Sequence, residues 1–125
     1  MKFQPDSLAG VNAITRHEPG RLWVGSTRIE GSVIVPWQGE PRPWRPGRMQ
    51  ELATEDFEAV LACGPELVIL GTGLRLAFPA AVLLRRLIDS GKGIESMDTA
   101  AAVRTYNVLA SEGRRVVGAF ILEAP

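Results

Sequence analysis

A chain of 125 residues has the usual length of one domain and can bury a core without disulfide or metal staples. Fourteen basic and fourteen acidic side chains cancel, removing the long-range field on which nucleic-acid and acidic-membrane binders rely, so neither partner is expected. A single cysteine, Cys63, excludes an intramolecular disulfide and a thiolate zinc site, in keeping with a reducing compartment.

The first ten residues, MKFQPDSLAG, lack the apolar run of a secretory leader, with Pro5 and Asp6 interrupting it. No stretch approaches the roughly 20 apolar residues that cross a bilayer. The expectation is a cytoplasmic protein of one domain, without membrane insertion. A strand-rich part spans about 8–36, a loop 36–50 and an α/β part 51–123.

Between Val11 and Val35 the chain reads as a meander of short extended pieces, with Pro19-Gly20 as a turn. The run from Thr27 to Val35 reads as one strand, with Ile29, Gly31, Val33 and Val35 inward and Arg28, Glu30 and Ser32 outward. PWQGEPRPWRPG, from Pro36 to Gly47, holds four prolines and two glycines and is a surface loop. Its Trp37 and Trp44, near Arg42, Arg45 and Arg48, present two alternatives: a stacking platform for single-stranded nucleic acid, or rings folded back over the sheet edge.

Helix then alternates with strand. A helix is predicted over 55–63, with Thr54 as N-cap, Gly64-Pro65 as its stop, and Cys63 in the last turn as a small buried hydrophobe. ELVIL at 66–70 reads as a central strand covered on both faces. A helix opening at Pro79 and ending before Gly91 would bury Leu83, Leu84, Leu87 and Ile88 beside Ala80 and Ala81, with Arg85 and Asp89 paired at i,i+4 on its outer side. Strands are predicted at 94–97 and 116–122, the direction of the second left open, with a helix at 99–111 between them. This alternation indicates an α/β layer architecture.

On the 99–111 helix, Arg104, Asn107 and Ser111 occupy the sector that the apolar residues leave free. Arg104 and Asn107 read either as a convergent donor pair for a carboxylate or phosphate, or as a solvated or structural face. Ligands of open α/β sheets gather outside the carboxyl ends of strands, which brings Gly71, Thr72 and Gly73 beside Asp98 and Thr99 as a candidate crevice. A tight turn explains the same glycines equally well. A dinucleotide site fails on spacing, because Pro79 marks a helix start six residues after Gly73 and Asp98 would occupy the helix amides a phosphate needs. His17 is the lone histidine and no nucleophile motif accompanies it.

PELVILGTG at 65–73, MDT at 97–99, RTYNVLASEGR at 104–114 and Trp44 together carry a resemblance to a known family. From Pro65 to Leu122 the chain closely resembles the adipogenesis-associated, archaeal-prototype domain family of unknown function, which also contains a mitochondrial complex I assembly factor. The resemblance implies a three-layer α/β domain with a mixed central β-sheet covered by helices and additional N-terminal β-strands. It implies no known cofactor and no catalytic residue, and it points to protein partners.

The function expected from sequence is therefore a non-enzymatic protein-binding module, an assembly-type helper for a larger complex, using the GTG loop and the Arg104 and Asn107 stripe. The alternative is a small-ligand binder or enzyme using the crevice at the GTG loop and the start of the 99–111 helix.

Overall fold

The computed structural model describes residues 10–124, so the leader-free reading of residues 1–9 and the start of the strand-rich part at residue 8 lie outside the described residues. Strands β1 (Ile14–Glu18), β2 (Arg21–Val24) and β3 (Thr27–Glu30) form an antiparallel meander. A five-stranded mixed sheet has the order β5-β4-β8-β6-β7, from β4 (Val33–Pro36), β5 (Arg42–Pro43), β6 (Leu67–Gly71), β7 (Gly93–Met97) and β8 (Val116–Phe120). Helices α1 (Asp56–Leu61), α2 (Arg85–Asp89) and α3 (Thr99–Ser111) complete the fold. β8 lies parallel to β6 and antiparallel to β4, which settles the direction the sequence left open.

Alternation along the inner strands sorts their side chains to two faces. Ile69, Val116, Phe120, Val33 and Val35 join Ala102, Val103, Tyr106 and Ala110 of α3, together with Ile14 and Leu22 of the meander. Val68, Leu70, Val117, Ala119 and Ile34 meet Phe57, Val60, Leu87 and Trp44 on the other face. Parallel crossovers share one hand, so two that step opposite ways along a sheet must place their helices on opposite faces. The step from β6 to β7 runs outward and that from β7 to β8 runs back across β6, which is why α2 and α3 are separated by the sheet.

At Gly118 a Cβ would lie 2.2 Å from the Phe120 ring. That space lets Phe120 fold over its own strand and meet Tyr106 edge-on, with ring centroids 6.0 Å apart.

The single strand expected from Thr27 to Val35 is broken. Gly31 adopts φ +81°, and the chain leaves the meander there to enter the larger sheet as β4. Alternation alone cannot reveal such a break, because both pieces keep the same parity. The helix expected from Pro79 is also shorter, a 3-10 turn at Ala81–Leu84 followed by α2. Leu87 is buried but Ile88 is 56% exposed, and Ala80 and Ala81 face out. Among the described residues Arg85 and Asp89 form no ion pair, whereas Arg86 pairs with Glu58 of α1.

Thr54 does not cap α1, whose N-cap, Glu55, makes no side-chain bond. Asp56 organises this turn instead. Its carboxylate accepts from the Ala53 amide at 2.8 Å and takes both arms of the Arg45 guanidinium, Nε at 2.9 Å and an Nη at 2.7 Å. Trp44 is buried edge-on against Phe57 and donates its indole N–H to the Asp56 carbonyl at 2.9 Å, so it belongs to the core, not to a stacking platform. Cys63 is half-buried and burial pushes its thiol above the ordinary range, leaving it a poor nucleophile at neutral pH.

The Arg45 bond, opposed by burial and helped by the Ala53 amide, holds the Asp56 carboxyl below its usual 3.8. A depressed folded value stabilises the fold above the unfolded pKa, and the gain disappears as pH falls through the folded one. Asp56→Asn is expected to be less stable at pH 7 and to lose less stability than the parent below about pH 4; denaturant melts across that window check it.

Candidate functional site

The carboxyl ends of β6 and β7 meet the start of α3, as the parallel topology requires. The Thr99 amide donates to the Gly73 carbonyl, and the Gly73 amide donates to Thr99 Oγ1, both at 2.9 Å. Thr99 Oγ1 in turn donates to the Ile121 carbonyl at 2.7 Å. Asp98 Oδ1 accepts from the Ala101 amide at 2.9 Å, closing the helix end to an incoming phosphate.

The two glycines of the GTG turn answer steric needs. A Cβ on Gly71 would stand 2.9 Å from Thr99 Oγ1, and one on Gly73, at φ +108°, would stand 2.1 Å from Glu123 Oε1. Thr72 is buried, and its hydroxyl donates to the Arg75 carbonyl at 2.7 Å while accepting from the Ala77 amide at 3.1 Å. The hydroxyls of Thr72 and Thr99 are thus engaged inside the fold.

Beside this turn lies a cavity of about 80 Å³, bordered by His17, Gly73, Asp98, Thr99 and Glu123. That is far below the roughly 300–1,000 Å³ of pockets that enclose small molecules. Burial lowers the His17 pKa, with Asp98 pulling the other way, a balance that favours the neutral imidazole. Among the described residues no group of three or more His, Cys, Asp or Glu side chains is placed to hold a metal ion.

Of the residues singled out from sequence, the fold gathers Gly71, Thr72, Gly73, Asp98 and Thr99 but not the stripe on α3. Asn107 Oδ1 accepts from the Ile14 amide at 2.9 Å and its Nδ2 donates to the Ile14 carbonyl at 2.8 Å, so the amide replaces a neighbouring strand for β1. Arg104 is exposed, takes part in no ion pair among the described residues and does not border the cavity. Ser111 caps back onto the Val108 carbonyl at 2.8 Å. The convergent donor pair expected from Arg104 and Asn107 therefore does not form, because one side chain is committed to β1 and the other extends into solvent. Tyr106, buried next to Asn107, lies 2.9 Å from the Asn12 carbonyl and 3.1 Å from that of Pro36, and burial drives its hydroxyl pKa upward.

Sequence reading missed two features. His17 reaches the cavity from β1 and Glu123 from the residues that follow β8, through contacts that local pattern does not encode. The second is a run of exposed apolar side chains directly after the GTG turn: Leu74 at 56%, Leu76 at 52%, Phe78 at 76% and Val82 at 57%. LRLAF at 74–78 carried the signal, apolar residues between the GTG turn and Pro79 in a stretch for which no covered element was predicted.

Residues 14–121 match the model of a family described as Protein of unknown function (DUF498/DUF598). The chain belongs to this family. It is 34% identical over 126 residues to a bovine (Bos taurus) protein named NADH dehydrogenase [ubiquinone] 1 alpha subcomplex assembly factor 3, a match covering 92% of this chain and 68% of that protein. A Francisella tularensis protein named 13 kDa major membrane protein is 29% identical over 68 residues, covering 54% of this chain and 55% of the relative, so the match spans little more than half of that relative's length. A crystal structure from Bordetella parapertussis superposes with a TM-score of 0.86 at 31% identity, covering 94% of this chain and all of that one. The family resemblance and the α/β fold read from sequence both stand. No helix among the described residues is long and apolar enough to cross a membrane.

The bonding on α3 separates two substitutions. Asn107→Ala is expected to cost about 1–3 kcal/mol by leaving the Ile14 amide and carbonyl unpaired, while Arg104→Ala stays within about 0.5 kcal/mol of the parent. Chemical denaturation of both variants measures the difference.

Proposed function

We propose that this protein is a non-enzymatic, one-domain protein-binding module of the cytoplasm, a helper in the assembly of a larger complex. The observation that carries this reading is the apolar run after the GTG turn. Four large side chains, each more than half exposed within nine residues, are unusual on a surface that has no use for them. Phe78, the most exposed, has the size and rigidity of a residue that anchors a protein interface. The bovine relative's name supports the assembly role. The crevice adds to the case from the other side, since its hydroxyls and the Asp98 carboxylate are bonded within the fold.

In-cell cross-linking at native expression, followed by partner identification, tests the reading. A defined partner is expected with the parent chain and is expected to be lost with Phe78→Asp, while Arg104→Ala retains it. Recovery of no partner, or undiminished capture by Phe78→Asp, counts against it.

The cavity beside His17, Asp98 and Glu123 supports the competing small-ligand reading. A compound bound there at about 100 times its dissociation constant would add about 2.7 kcal/mol of stability. Thermal-shift screens of acids, nucleotides and phosphates are expected to show no such shift.

A further inference from the structure

The segment that presents the apolar run also carries a charge imbalance. From Leu74 to Lys92 there are four cations, Arg75, Arg85, Arg86 and Lys92, against one acid, Asp89. Arg86 is neutralised by Glu58. Among the described residues Arg75, Arg85 and Lys92 enter no ion pair, and both arginines are exposed. Arg75 and Arg85 thus stand, with no ion-pair partner among the described residues, in the same segment as the exposed Leu74, Leu76, Phe78 and Val82, while Lys92 precedes β7 at the opposite end of the sheet.

This segment is held in place from beneath. The Thr72 hydroxyl bonds the Arg75 carbonyl and the Ala77 amide. Glu123 Oε1, at the foot of the run, accepts from the Leu74 amide at 3.1 Å. Leu87 anchors the far end in the core. Backbone that is already fixed adds little further ordering cost on docking.

Resting on the protein-binding reading above, we infer that the 74–92 segment docks an acidic amphipathic segment of a partner protein, with apolar side chains seated on Leu74, Leu76, Phe78 and Val82 and carboxylates meeting Arg75 and Arg85. The charge pattern selects this occupant over two others. In a two-fold dimer the same patch faces itself, which sets unpaired cations against their own copies. Anionic lipid surfaces are held by clusters of roughly 4–8 Lys or Arg, and here only three are free of an acidic partner.

The test uses the isotope-labelled full chain and NMR titration with three probes. These are a synthetic amphipathic helix with Leu and Phe on one face and Glu on the other, the same peptide with Lys for Glu, and vesicles of phosphatidylglycerol in phosphatidylcholine. The acidic peptide is expected to shift resonances of residues 74–92, to bind about ten-fold more tightly than the basic one, and to weaken as salt rises from about 50 to about 500 mM. Arg75→Glu combined with Arg85→Glu is expected to remove that preference, and Phe78→Ser to weaken binding of the acidic peptide, both with unchanged spectra elsewhere. Equal binding of the two peptides, shifts confined to other surfaces, or tighter binding of the vesicles overturns the inference. A partner captured in cells whose binding survives the double charge reversal but not Phe78→Asp would leave the assembly reading standing and remove this one; no partner at all removes the reading on which it rests.

Discussion

Two neighbouring side chains on α3, Tyr106 and Asn107, hold the N-terminal part of the described chain against the rest. Tyr106 brings the Asn12 and Pro36 carbonyls to one buried hydroxyl, and Asn107 supplies Ile14 with the donor and acceptor that β1 lacks from a neighbouring strand. Buried backbone groups without partners are expensive, so these bonds determine where the meander can sit. With β1 held, Ile14 and Leu22 join the core under α3. The same placement brings His17 to the start of α3 beside Asp98.

That arrangement explains which parts of the molecule were legible in sequence. The helix at 99–111 was read to the residue, because Asp98 caps it and no breaker interrupts its apolar surface. The inner strands were legible because a segment covered on both faces has no place for polar side chains, as in Val116 to Phe120. Asn107 was misjudged for the opposite reason. Its partner is 93 positions away in the chain, and an amide that satisfies a distant backbone cannot be distinguished by local pattern from one facing water. The division at Gly31 and the short α2 belong to the same class, since sheet membership and tertiary burial decided both.

The candidate crevice was half legible. Its glycines were correctly placed at strand ends, but the reason for them lies in the approach of Thr99 and Glu123, which no spacing rule contains. Once those contacts are known, the turn becomes a support that fixes the direction in which the following residues leave the sheet. Leu74 through Phe78 are therefore presented outward by interactions below them, and the most distinctive surface of the molecule follows from the packing of its least conspicuous residues.

Among the described residues strand β7 ends the five-stranded sheet and pairs only with β6. A terminal strand of this kind leaves one line of amides and carbonyls available, the template on which chains stack into fibrils. Here it is brief, it begins with a glycine that has little side chain to offer a neighbour, and Glu95 stands exposed at its midpoint. A second molecule laid edge to edge along the same strand, antiparallel about its midpoint, would bring two such carboxylates close together, so the molecule carries a built-in deterrent to self-association along its open border.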